Sequence, residues 1–161
     1  MNLGSALRAA CAFAILVLLN YTLRPLLPPR AEVDFLVIAV LLGAVRMRPG
    51  YAAVLGLFVG LAADSINPAG FGSGALALTG VAFAASWLKA VFFADNAILN
   101  GLFFFAGRLI FVVIQLIAEH RVGGAELVVQ LMWGVLSAAV TAIAGVLLVL
   151  LMRPLLEPSP A

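Results

Sequence analysis

The sequence predicts an all-α, polytopic membrane protein with six transmembrane helices. Three observations carry that expectation. Of its 161 residues, 65% are hydrophobic and 10% are charged, against about 25% charged in an average soluble domain. The apolar residues gather into six runs separated by short polar or Gly/Pro-containing connections. A spanning helix takes about 20 residues, so six spans use roughly 120 and leave about 40 for loops and tails. That balance excludes a water-soluble globular domain, which could not hide so much apolar surface. It equally excludes a disordered chain, which needs low hydrophobicity and high charge.

The first run, about Leu7–Thr22, contains the single cysteine, Cys11, which reads as a small buried residue. The run is followed by Arg24-Pro25-Leu26-Leu27-Pro28-Pro29-Arg30, with no small-x-small cleavage site, so it reads as a retained helix. The second and third runs, about Asp34–Val45 and Gly50–Ala63, are short for full spans and leave a re-entrant hairpin as the rival arrangement. The fourth, fifth and sixth runs are about Gly74–Phe93, Ala97–Ala118 and Glu126–Met152. Together these make one membrane domain over residues 1–153, with a Pro-rich tail at 154–161.

Orientation follows the distribution of Lys and Arg. With the N-terminus inside, Arg8, Arg46, Arg48, Lys89 and Arg153 fall on the cytoplasmic side, and Arg24, Arg30 and Arg121 outside. Both termini are therefore expected in the cytoplasm. The formal charge of +2 comes with no basic stripe, so nucleic acid is not an expected partner.

Small residues recur every fourth position on three runs: Ala6, Ala10 and Ala14; Ala52, Gly56 and Gly60, with Asp64 next on that face; and Gly134, Ala138 and Ala142. That spacing keeps them on one side of a helix and lets backbones approach closely. Such faces serve either internal packing or docking to another subunit. Asp64 ends the third run and opens a loop dense in turn residues, through Pro68, Gly70, Gly72 and Gly74. Arg108 is the sole charge deep within the fifth run. It should face the bundle interior and find a partner, with Asp64 as the candidate, or else snorkel to an interface. Trp87 and Trp133 read as interfacial anchors, and His120 as a loop residue. No phosphate-binding Gly-rich loop, GxSxG elbow or convergent metal-ligand set is present, so neither enzyme activity nor a metal or cofactor is expected.

The stretch from about Glu32 to Lys89 resembles the MreD family of bacterial rod-shape membrane proteins. An acid opens the second helix at Asp34, and a basic turn follows at Arg46-Met47-Arg48-Pro49-Gly50. The third helix then reads Gly56-x-x-x-Gly60-Leu61-x-x-Asp64, before a Gly-rich loop with Phe71-Gly72. Val33 stands where the family tends to have proline. Gly56, Gly60, Leu61, Asp64 and Gly72 map onto the pattern.

The resemblance implies a non-enzymatic scaffold of the cell-elongation machinery in the bacterial cytoplasmic membrane. It would bind MreC, a bitopic protein, and act with the RodA glycosyltransferase, a class B penicillin-binding protein and MreB, supporting peptidoglycan synthesis and cell shape. The family also looks like the substrate-binding S-components of energy-coupling-factor vitamin transporters, which share a six-helix fold. That likeness supplies the alternative function, in which Ala6, Ala10 and Ala14 would dock the transport module.

Overall fold

The computed structural model describes residues 3–23, 33–66, 71–88, 96–119 and 125–156, and for residues 3–10, 12, 23, 125, 126 and 152–156 it describes no side chain. All secondary structure among them is helical. The helices are α1 (Leu3–Leu23), α2 (Phe35–Ala44), α3 (Pro49–Asp64), α4 (Ser73–Trp87), α5 (Ala97–Ala118) and α6 (Ala125–Leu156). Each of the six apolar runs holds one helix. The fourth helix ends at Trp87, short of the Phe93 read from the sequence, and residues 89–95 lie outside those described.

The packing centre is α2. Its sequence, Phe-Leu-Val-Ile-Ala-Val-Leu-Leu-Gly-Ala, is apolar on every side, and a helix of that kind belongs in an interior. Val37, Ile38, Ala39, Val40 and Leu41 are all buried, and α1, α3, α4, α5 and α6 each pack against this helix. Its ten residues cover only ~15 Å. Asp34 begins it as an N-cap, its Oδ1 accepting from the Val37 amide at 3.2 Å. The chain then turns through Arg46–Arg48 into α3, which Pro49 opens after the Arg48 cap, at a position where a helix has no partner for an amide and proline has none to satisfy.

The tightest pair is α3 and α4. A Cβ built on Gly56 would run into the Leu78 carbonyl, and one on Gly60 into the Ala75 backbone. Glycine at both sites lets the two backbones touch. Ala52, Gly56 and Gly60 are accordingly buried. The α6 stripe does the same against α5: Ala138 is fully buried, Ala142 nearly so, and a Cβ on Gly134 would meet Val112 Cγ1 at 2.9 Å. These two small-residue faces are internal seams.

On α1 the arrangement differs. Leu16 and Asn20 are buried, while Ala14 and Cys11 are exposed. The expectation that Cys11 is buried is therefore corrected: the first helix leans on the bundle along one stripe and turns Cys11 away from it. The side chains of Ala6 and Ala10 lie outside those described.

Among the described residues two helices are long and apolar enough to cross a membrane, α5 over Ala97–Ala118 and α6 over Leu127–Leu151. The other apolar stretches, Phe13–Thr22 within α1 and the whole of α2, α3 and α4, are shorter.

Candidate functional site

Arg108 lies midway along α5, eleven residues after Ala97 and ten before Ala118. Its place is set by the helix: Phe104, Gly107 and Phe111 share the buried face with it. The guanidinium finds its partner on α2. Arg108 Nη1 lies 3.0 Å from Asp34 Oδ2, with the two side chains 12% and 19% exposed. The approach is that of an ion pair without an aligned hydrogen bond at Nη1. Arg108 Nε donates to Ser137 Oγ of α6 at 3.3 Å, and the guanidinium carbon sits 4.9 Å from the Phe111 ring centroid.

This corrects the expected pairing of Arg108 with Asp64. The reason is height along the bundle. Counting from the Arg46–Arg48 turn, ten-residue α2 lifts Asp34 by ~15 Å, whereas sixteen-residue α3 lifts Asp64 by ~24 Å. Arg108 stands ~16 Å above the start of α5, level with Asp34.

Thr141 completes the cluster. It is fully buried midway along α6, and its Oγ1 accepts from the Asp34 amide at 3.2 Å. Asp34 thus caps α2 with one carboxylate oxygen, faces Arg108 with the other, and donates its own amide to Thr141. Three helices are tied together at one point by groups that apolar surroundings would otherwise penalise.

Asp64 has a separate task. Its Oδ2 accepts from the Gly72 and Ala75 amides, both at 2.9 Å. The end of α3 therefore caps the start of α4, where two free amides await an acceptor. Gly72 has φ +97°, a left-handed conformation that favours glycine. At Gly74 a Cβ would collide with Asp64 Oδ1. Leu61 is half-buried on the same helix, and its carbonyl accepts from Ser65 at 3.0 Å. Beside this joint Glu119 Oε1 accepts from Ser73 Oγ at 3.1 Å and from Gln115 Nε2 at 3.0 Å, linking α4 to the end of α5.

Between these groups lies a partly open cavity of about 160 Å³, at the end of the bundle away from the Arg46–Arg48 turn. Asn20 and Tyr21 of α1, Asp34, Asp64, Arg108 and Gln115 supply its polar wall. The structure thus brings Asp64 and Arg108 to one cavity without joining them. Gly134, Ala138 and Ala142 stay apart from it, on the α5–α6 seam. Sequence reasoning missed Asp34 as the ion-pair partner, and missed Ser137 and Thr141 altogether. The available signal was their position on the same α6 stripe as Gly134, Ala138 and Ala142, at spacings of three and four.

Among the described residues no group of three or more His, Cys, Asp or Glu could hold a metal ion. No protein-family model, curated protein or solved structure matches the chain. The class that fold and site define is an all-helical bundle with a largely buried ion pair between α2 and α5.

Proposed function

We propose that the chain is a non-enzymatic membrane scaffold of the MreD kind, serving the bacterial cell-elongation machinery. In this reading it spans the cytoplasmic membrane six times with both termini inside. It docks an MreC-like bitopic protein and, directly or through it, the RodA and class B penicillin-binding synthases and MreB.

One observation carries the reading. The residues of the resemblance are joints between helices: Asp34 ties α2 to α5 and α6, Gly56 and Gly60 seat α3 on α4, and Asp64 with Gly72 closes the α3–α4 turn. A pattern made of joints preserves a shape, which is what a scaffold presents to partners. The α3 and α6 small-residue faces are occupied internally, so docking falls to surfaces such as the α1 face bearing Ala14.

The polar cavity favours a second reading, a substrate-binding S-component of an energy-coupling-factor vitamin transporter. Affinity capture of the tagged protein from its host's membranes in mild detergent, followed by mass spectrometry, separates the two. Recovery of a bitopic MreC-like protein with cell-wall synthases is the expected result. Recovery of paired ATPases with a coupling transmembrane subunit would replace the scaffold reading with the transporter one.

A further inference from the structure

The polar cavity has the makings of a binding site. Its floor is Leu36, Leu78 and Phe111, all buried, and its mouth lies at Tyr21 and Ile66, both exposed. Its volume of about 160 Å³ is below the roughly 300–1,000 Å³ that encloses a drug-sized ligand. It is close to the ~150 Å³ of an engineered apolar cavity that takes benzene. The space therefore suits a molecule of a few heavy atoms.

Several groups on its wall hold hydrogen-bonding capacity that the described residues leave unused. Asn20 is 6% exposed, lines the cavity and makes no hydrogen bond among them. A side chain buried so far is ordinarily paired, so an orphaned carboxamide points to something outside the chain. Arg108 gives Nε to Ser137 and turns Nη1 to Asp34, while Nη2 makes no hydrogen bond. Asp64 accepts twice through Oδ2 and leaves Oδ1 over Gly74, which itself lines the cavity. Gln115 donates from Nε2 to Glu119 and makes no hydrogen bond through Oε1. The charges are also ordered with depth. Arg108 stands ~16 Å from the arginine-turn end of the bundle and Asp64 ~24 Å, two residues before the exposed Ile66.

We propose that the cavity binds a small free zwitterion of the α-amino acid kind, its carboxylate inward on Arg108, its ammonium outward on Asp64, and Asn20 adding an amide contact. A plain anion would meet two carboxylates, Asp34 and Asp64, for one arginine. A plain cation would leave the guanidinium fork without an acceptor. A zwitterion meets both and adds no net charge to a largely buried site. Val33, Leu36 and Leu78 leave room beside it for a short aliphatic side chain. A phosphatidylethanolamine headgroup carries the same two charges, but its ammonium is the leading tip and would reach the guanidinium first. The order of charges with depth thus favours a molecule that arrives free. The site goes beyond the scaffold role and does not rest on it.

The test uses the full chain in mild detergent, titrated calorimetrically with L-alanine and with L-valine. Saturable binding of one molecule per chain is expected. Propionate, which lacks alanine's ammonium, and alaninamide, which lacks its carboxylate, should each bind more weakly by about tenfold or more. N20A should weaken alanine binding by about tenfold. It should leave the unfolding temperature of the ligand-free chain within about 2 °C, because Asn20 has no hydrogen bond to lose. A purely structural Asn20 would do the reverse, lowering that temperature and leaving binding unchanged. The analogue series uses the unmodified chain, so it decides the matter even if N20A fails to fold. Binding of neither amino acid, or equal binding of propionate or alaninamide, would overturn the proposal. So would native mass spectrometry from phosphatidylethanolamine nanodiscs showing one retained lipid that alanine does not displace.

Discussion

Arg108 ties the middle of α5 to α2 and α6. A lone arginine at the centre of a spanning helix costs about 2.5–3.5 kcal/mol or more. Here Asp34, Ser137 and the Phe111 face receive it. Removing either partner of such a buried pair strands the other charge, at about 3–5 kcal/mol. The residual exposure of both side chains places R108A and D34A toward the lower end of that range. The double variant should lose clearly less than the two losses combined, measured by unfolding in mild detergent. D64A with R108A should be additive within about 0.5 kcal/mol, because Asp64 spends its carboxylate on the Gly72 and Ala75 amides. Additivity of D34A with R108A would refute the pair. The sequence made Arg108 conspicuous, since no other charge lies deep in its run. It did not reveal the partner, because both Asp34 and Asp64 sit at helix ends, and which end is deeper depends on how far each helix climbs.

At the scale of the element, helix existence was legible and helix depth was not. Composition and spacing located the six helices among the described residues, and α5 falls on the bounds read from its apolar run. The enclosure of α2 follows from its lack of any polar face, yet its shortness also argued for a re-entrant hairpin. Only the packing of five helices around it gives the short helix its central place. The α3–α4 seam invites a direct comparison. G56A and G60A should each cost about 1–3 kcal/mol, because the added methyl meets backbone atoms that cannot move aside. G50A, with nothing within 4 Å, should fall within about 0.5 kcal/mol of the parent. Equal effects at all three positions would show that helix propensity, not contact, governs them. Cys11 offers a second check on an element. It is the chain's single cysteine and is exposed on α1. A nitroxide attached there in a reconstituted bilayer should collide readily with oxygen and poorly with a water-soluble nickel complex. The opposite ranking would mean that this face of α1 looks into water.

For the whole molecule, the polar groups divide by height. The arginine turn marks one end, the Asp34–Arg108–Thr141 cluster the middle, and the Asp64 and Glu119 joints the other end, with the cavity opening beside them. That order gives the bundle two unlike ends, as a scaffold needs if its partners approach from opposite sides of a membrane. Among the described residues the joints are made by helix ends and small residues.

The claim that joins these levels is that the bundle supports cell elongation. Deleting the gene in its own host tests it most directly, with cell shape and the pattern of new peptidoglycan insertion as readouts. The account predicts rounded cells that lose dispersed lateral-wall synthesis and recover both on re-expression. It also predicts that R108A, at reduced membrane abundance, restores shape only partly. Unchanged cell shape and wall insertion, with a growth requirement relieved by an added vitamin, would contradict it.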